Sequence, residues 1–143
     1  MRGVCVSLIL EAYNVTAGAA GGGTENYGLL NEIINTVARL YGGSFTARGG
    51  SFLTVGLSNI GDMTLQGVAA TAENGSSNYG LSASTGTVRA DSCRFKGTTA
   101  AVRETGGTVY LAVSQLDGGM QRTGGTRTCF QVYDGNYAAY TCP

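Results

Sequence analysis

Residues 88–95 read VRADSCRF and residues 109–116 read VYLAVSQL; laid over one another they place small or apolar residues at the first, third, sixth and eighth positions. Three more stretches take the same frame: Leu10 to Ala17 (LEAYNVTA), Ala38 to Phe45 (ARLYGGSF) and Leu65 to Ala72 (LQGVAATA). The five segments begin 28, 27, 23 and 21 residues apart. Repetition at that period marks a stacked array in which each unit buries its apolar side only against its neighbours. The first column (Leu10, Ala38, Leu65, Val88, Val109) is apolar throughout, whereas the second (Glu11, Arg39, Gln66, Arg89, Tyr110) carries polar groups. Alternate residues therefore take opposite faces, the period-two signature of a strand. The alternation breaks between the third and sixth positions, so every unit needs a bend or bulge there.

A shorter register follows each segment: Tyr27-Gly28-Leu29, Val55-Gly56-Leu57, Tyr79-Gly80-Leu81 and Ala100-Ala101-Val102. Two strands and two turns in so short a unit leave no room for the helices of tetratricopeptide or ankyrin repeats, but they fit one coil of a parallel β-helix. The chain has 24 glycines in 143 residues, clustered between the registers where tight corners need positive φ. These glycines show no three-residue period and Pro occurs once, which removes collagen. A hydrophobic share of 43% held in fixed columns argues against a disordered Gly/Ser chain.

The segment Thr108-Val109-Tyr110-Leu111-Ala112-Val113-Ser114-Gln115-Leu116-Asp117-Gly118 has the form T-V-x-Φ-x-x-S-x-Φ-x-G, where Φ is apolar, and Thr87 to Gly97 repeats it with Cys93 at the Ser position. In this it resembles right-handed parallel β-helix proteins of the pectate-lyase-like superfamily, in which N-Y-G often marks the next strand. The resemblance spans roughly residues 8–143. It implies an all-β fold: a short, right-handed, single-stranded parallel β-helix of about five coils with a disulfide-closed C-terminal cap. Cys129 and Cys142 bracket the last segment, and similar endings in the superfamily imply that the two are bonded and cover the end of the helix. On function the resemblance is broad, because the scaffold carries lyases, hydrolases, tailspikes, adhesins and structural modules.

One domain is expected over residues 1–143, with residues 1–9 as an N-terminal strand or cap, 10–122 as coils and 123–143 as the C-terminal cap. Met1 to Leu10 can also be read as a short signal peptide, but Leu10 and Ala12 fall in repeat columns, which favours a strand. The charges offer a check on register. Glu11 is expected beneath Arg39, and Glu73, Lys96 and Asp117 at successive rungs about 4.8 Å apart. Nine acids balance nine bases, so nothing marks the chain for nucleic acid or an anionic membrane. No apolar run approaches the roughly 20 residues that cross a bilayer.

Chemistry is sparse. With no histidine, Ser-His and Cys-His nucleophiles are excluded. No C-x-x-C pair supports zinc, and no cofactor is expected; Cys93 reads as a small buried residue, and Cys5 is left over. The acids are dispersed, and a glycosidase pair would require bending Glu25 and Glu32 together, or Asp91 with a neighbour. Ice binding fails because the column Thr16, Ser44, Thr71, Arg94, Gln115 is not a threonine array. What remains is an outward strip of Arg39, Gln66, Arg89 and Tyr110, beside Tyr13, Tyr41, Val68, Asp91 and Ala112. Rings pack on pyranose faces and forked donors fix acidic groups, so polysaccharide is the expected partner. The reading is a non-catalytic structural or carbohydrate-binding module of a surface or fibre, self-associating through its ends or walls, with a polysaccharide lyase or hydrolase as the alternative.

Overall fold

The structure, a computed structural model, describes residues 5–6, 9–34 and 36–143, with Cys5 and Val6 described by their backbone alone. The lower coils are β1 (Cys5–Val6), β2 (Ile9–Ala20), β3 (Glu25–Asn31), β4 (Val37–Arg48) and β5 (Leu53–Asn59). Then come β6 (Asp62–Gln66), β7 (Ala69–Glu73), β8 (Asn78–Ala83), β9 (Thr87–Asp91), β10 (Arg94–Gly97) and β11 (Ala100–Glu104). The upper coils hold β12 (Thr108–Ala112), β13 (Gln115–Asp117), β14 (Met120–Arg122), β15 (Thr126–Phe130) and β16 (Tyr133–Asp134). Among the described residues there is no helix.

Neighbouring strands are parallel, and the chain is a parallel β-solenoid. One wall stacks β1, β3, β5, β8, β11 and β14. The other starts as the long strands β2 and β4, which run across a corner, and then divides into an arm of β6, β9, β12 and β15 and an arm of β7, β10, β13 and β16. Leu10, Ala38, Met63, Val88, Val109 and Arg127 form one vertical file, with steps of 28, 25, 25, 21 and 18 residues. Four full turns thus separate Ala38 from Arg127, β2 and β3 lay a further coil beneath, and the perimeter shortens toward the C-terminal end.

The third coil sits two residues from its expected place. Met63, rather than Leu65, belongs to the Leu10 file, and Leu65 stacks between Leu40 and Ala90. A slip of two keeps every side chain on its own face, so Leu65 is still 1% exposed. The same slip takes Glu73 away from Lys96: Glu73 pairs with Arg48 at 2.6 Å, while Lys96 meets Asp117 at 3.7 Å as expected. Glu11 does lie opposite Arg39. The repeat also runs past residue 122, since β15 and β16 extend the two arms by another rung.

The expected bend is present, and a left-handed residue makes it in each coil: Asn14 (φ 52), Gly42 (φ 67), Gly67 (φ 62), Ser92 (φ 52), Val113 (φ 47) and Gln131 (φ 50). The next residue turns inward, which buries Val68, Cys93, Ser114 and Val132. Val68 therefore leaves the outward strip in which the sequence had set it. Burial pushes the Cys93 thiol up to about 11, as an apolar environment disfavours thiolate. Beyond the corner, Phe45, Ala70, Phe95 and Leu116 share a file whose small member leaves room for the rings on either side. Each buried ring contributes on the order of 2–3 kcal/mol.

The second register matches the sequence reading rung for rung: Tyr27, Val55, Tyr79 and Ala100 stack, as do Leu29, Leu57, Leu81 and Val102. The glycines between them allow this wall to touch the backbone of the next. A Cβ on Gly56 would fall 2.7 Å from the Gly80 carbonyl oxygen and 2.8 Å from the Thr71 nitrogen. At the C-terminal end, the bonded pair Cys129–Cys142 ties the last segment down, and Tyr140 adds a bond from its N–H to the Val132 carbonyl at 2.8 Å. The terminal disulfide expected from the resemblance is thus present. Calls on residues 1–4 and 7–8, including the signal-peptide alternative, lie outside the described residues, as does the Cys5 side chain.

Gly56→Ala is expected to lower stability by about 3 kcal/mol in urea unfolding, because backbone atoms cannot give way as a side chain would. Gly22→Ala, with nothing within 4 Å of the added carbon, should stay within about 0.5 kcal/mol of wild type. At the corner, Val113 is a β-branched residue in left-handed geometry and 48% exposed. Val113→Gly should therefore raise stability by about 1 kcal/mol in the same assay.

Candidate functional site

Period-two alternation sends every second residue of β2, β4, β6, β9, β12 and β15 to the outer face of one wall. Two files result. The first is Glu11, Arg39, Thr64, Arg89, Tyr110 and Thr128; the second is Tyr13, Tyr41, Gln66, Asp91, Ala112 and Phe130. Of the four residues expected to form a strip, Arg39, Arg89 and Tyr110 do share a file. Gln66 stands in the neighbouring one, between Tyr41 and Asp91, because of the two-residue slip. All four remain on the same face.

A shallow groove of about 500 Å³ runs over the upper part of this face, with Thr64, Gln66, Arg89, Asp91, Tyr110 and Phe130 along it. Its floor is largely apolar because the alanines at 90 and 112 and the leucines at 65 and 111 leave it uncovered between taller neighbours. The Arg89 guanidinium lies over the Tyr110 ring, 5.4 Å from the centroid, which holds a mobile cation in one place while its edge stays available. Lower on the face, Tyr13 and Tyr41 stack with centroids 5.0 Å apart and planes 17° from parallel. The Tyr13 hydroxyl donates to Glu11 Oε1 at 2.7 Å, and that bond to a carboxylate raises the phenol's pKa.

Two aromatic groups of the groove escaped the sequence reading for different reasons. Phe130, 64% exposed, was assigned to the cap. The alternation Thr126, Thr128, Phe130 outward with Arg127 and Cys129 inward would have identified β15 as another copy of the strand. Tyr110 was expected, but its arginine partner could be named only once adjacent rungs were known. Asp91 is the one carboxylate lining the groove, and Glu25 and Glu32 belong to a different part of the coil, so the glycosidase pair has no counterpart there. Among the described residues, no group of three or more His, Cys, Asp or Glu side chains is placed to hold a metal.

The interior carries one ionic pair. Arg127 ends the inward file that begins at Leu10, and its Nε lies 3.1 Å from Oε2 of Glu104, with side-chain exposures of 6% and 0%. Burial raises the Glu104 pKa, and the nearby Arg127 and Arg122 charges oppose that rise without cancelling it. No family model, characterised protein or solved structure matches this chain.

A carboxyl group held protonated by the fold binds its proton more tightly than in the unfolded chain. Its contribution to stability is therefore complete below the unfolded value of about 4.5 and is lost as pH rises through the higher folded value. Relative to Glu104→Gln, the wild-type chain should lose stability steadily in urea titrations from pH about 4.5 to pH about 8. Parallel pH profiles for the two proteins would contradict the assignment.

Proposed function

We propose that this solenoid is a non-catalytic carbohydrate-binding module, whose outer face takes acidic polysaccharide along the groove between Arg89 and Phe130. The observation that carries this reading is the Arg89–Tyr110 pair beside an apolar floor. A pyranose presents an apolar face and a rim of hydroxyls, and an acidic sugar adds a carboxylate; ring, floor and guanidinium answer each of these in turn. Rungs about 4.8 Å apart give an extended chain repeated points of attachment along the wall. Arg39, Tyr41 and Gln66 continue the face below the groove and lengthen the footprint.

The coil pattern T-V-x-Φ-x-x-S-x-Φ-x-G supports placing the chain among pectate-lyase-like β-helices. A structural role within a surface or fibre assembly fits the same scaffold, as the long strand β2 pairs with β4 on one side and offers its other side for further stacking. The enzymatic alternative is less favoured, since the groove presents Asp91 without a second lining carboxylate.

A glycan array read with the fluorescently labelled protein tests the proposal. Binding to uronate-containing polysaccharides is expected, with Arg89→Ala and Tyr110→Ala each weakening it at least about tenfold and leaving the melting temperature within a few degrees. Release of unsaturated uronate or new reducing ends from the bound polysaccharide would instead assign an enzyme. Retention of full affinity in both variants would move the site off this face.

A further inference from the structure

At the C-terminal end of the solenoid, away from the outer-face groove, lies a second cavity of about 600 Å³. Its walls include Arg122, Thr126, Arg127, Tyr140 and Thr141, and the Cys129–Cys142 disulfide closes one side. We propose that this cavity is a binding site for a small carboxylate, gripped by Arg127 from inside and Arg122 from the rim.

The main support is an unspent donor. Arg127 sits in an inward file whose lower members are Val109, Val88 and Met63, so its guanidinium is taken out of water. Nη1 has a contact at 3.9 Å with the Met120 sulfur, and Nε faces Glu104 without hydrogen-bond alignment. Nη2 is buried with no hydrogen-bond partner. A buried guanidinium N–H left unpaired costs on the order of 1–3 kcal/mol or more, and a ligand oxygen would remove that cost.

The remaining groups are donors as well. The Tyr140 hydroxyl accepts from the Met120 N–H at 3.0 Å, leaving its own proton to give. Arg122 reaches the Gly125 carbonyl at 2.7 Å with Nη2 alone among its printed bonds, and Thr141 brings a hydroxyl. Charge selects the class of anion. Two guanidinium groups face one carboxylate, Glu104, so a monoanion leaves the site neutral and a dianion overloads it. A flat carboxylate also matches the guanidinium fork.

The test is a titration of the 143-residue chain with sodium acetate, sodium galacturonate and sodium phosphate, each against sodium chloride at equal ionic strength, followed by amide chemical shifts. Saturable shifts confined to residues around 122–129 and 140–142 are expected with acetate or galacturonate. Arg122→Gln, an exposed change that spares the interior, should weaken either by about tenfold. The double variant Arg127→Met/Glu104→Gln, which keeps the interior filled and uncharged, should abolish the response. Shifts that follow ionic strength alone, tighter binding of phosphate than of carboxylates, or an undiminished response in the double variant would overturn the proposal.

Discussion

The parallel backbone ladder is the constraint from which everything else follows. Each strand hydrogen-bonds to the copy of itself one coil below, so a residue's neighbours on the wall are fixed by perimeter, not by local sequence. The left-handed residue at each corner makes that perimeter repeatable. Asn14, Gly42, Gly67, Ser92, Val113 and Gln131 turn the chain at equivalent points, and the inward residues after them close the edge of the core. On the opposite wall Gly28, Gly56 and Gly80 admit the backbone of the adjoining strands closely enough that no Cβ fits. Corners and contact glycines together set where each outward side chain stands.

The fold was legible because a period of two survives any alignment that is wrong by an even number. Met63 and Leu65 are both apolar and inward, Thr64 and Gln66 both polar and outward, so hydrophobic pattern alone cannot choose between them. Aligning the corners would have chosen: setting Gly67 under Gly42 and Ser92 brings Met63 into the Leu10 file at once. The same reasoning explains the charge checks. Lys96 with Asp117 lay in coils of equal registration and paired as expected, whereas Glu73 lay in the slipped coil and found Arg48.

The outer face was partly legible. Arginine and tyrosine at one column mark an outward file, but a groove arises only from the heights of side chains on adjacent rungs, which depends on register. Arg127 was beyond reach for another reason. An arginine in an inward column looks like the end of the pattern, when in fact β15 continues the ladder and the charge is tolerated by the buried Glu104. Such a pair contributes little net stability, which makes its position at the open end, beside a polar cavity, more informative than its energy.

The steps of 28, 25, 25, 21 and 18 residues describe a tower that narrows as it rises. A tapering tower is not interchangeable along its length. A storey copied from the middle, where two successive circumferences are equal, matches the floor below and the ceiling above; one copied from near the top matches neither. Gene duplication could therefore lengthen this molecule at its waist, while its crown remains a fixed stop.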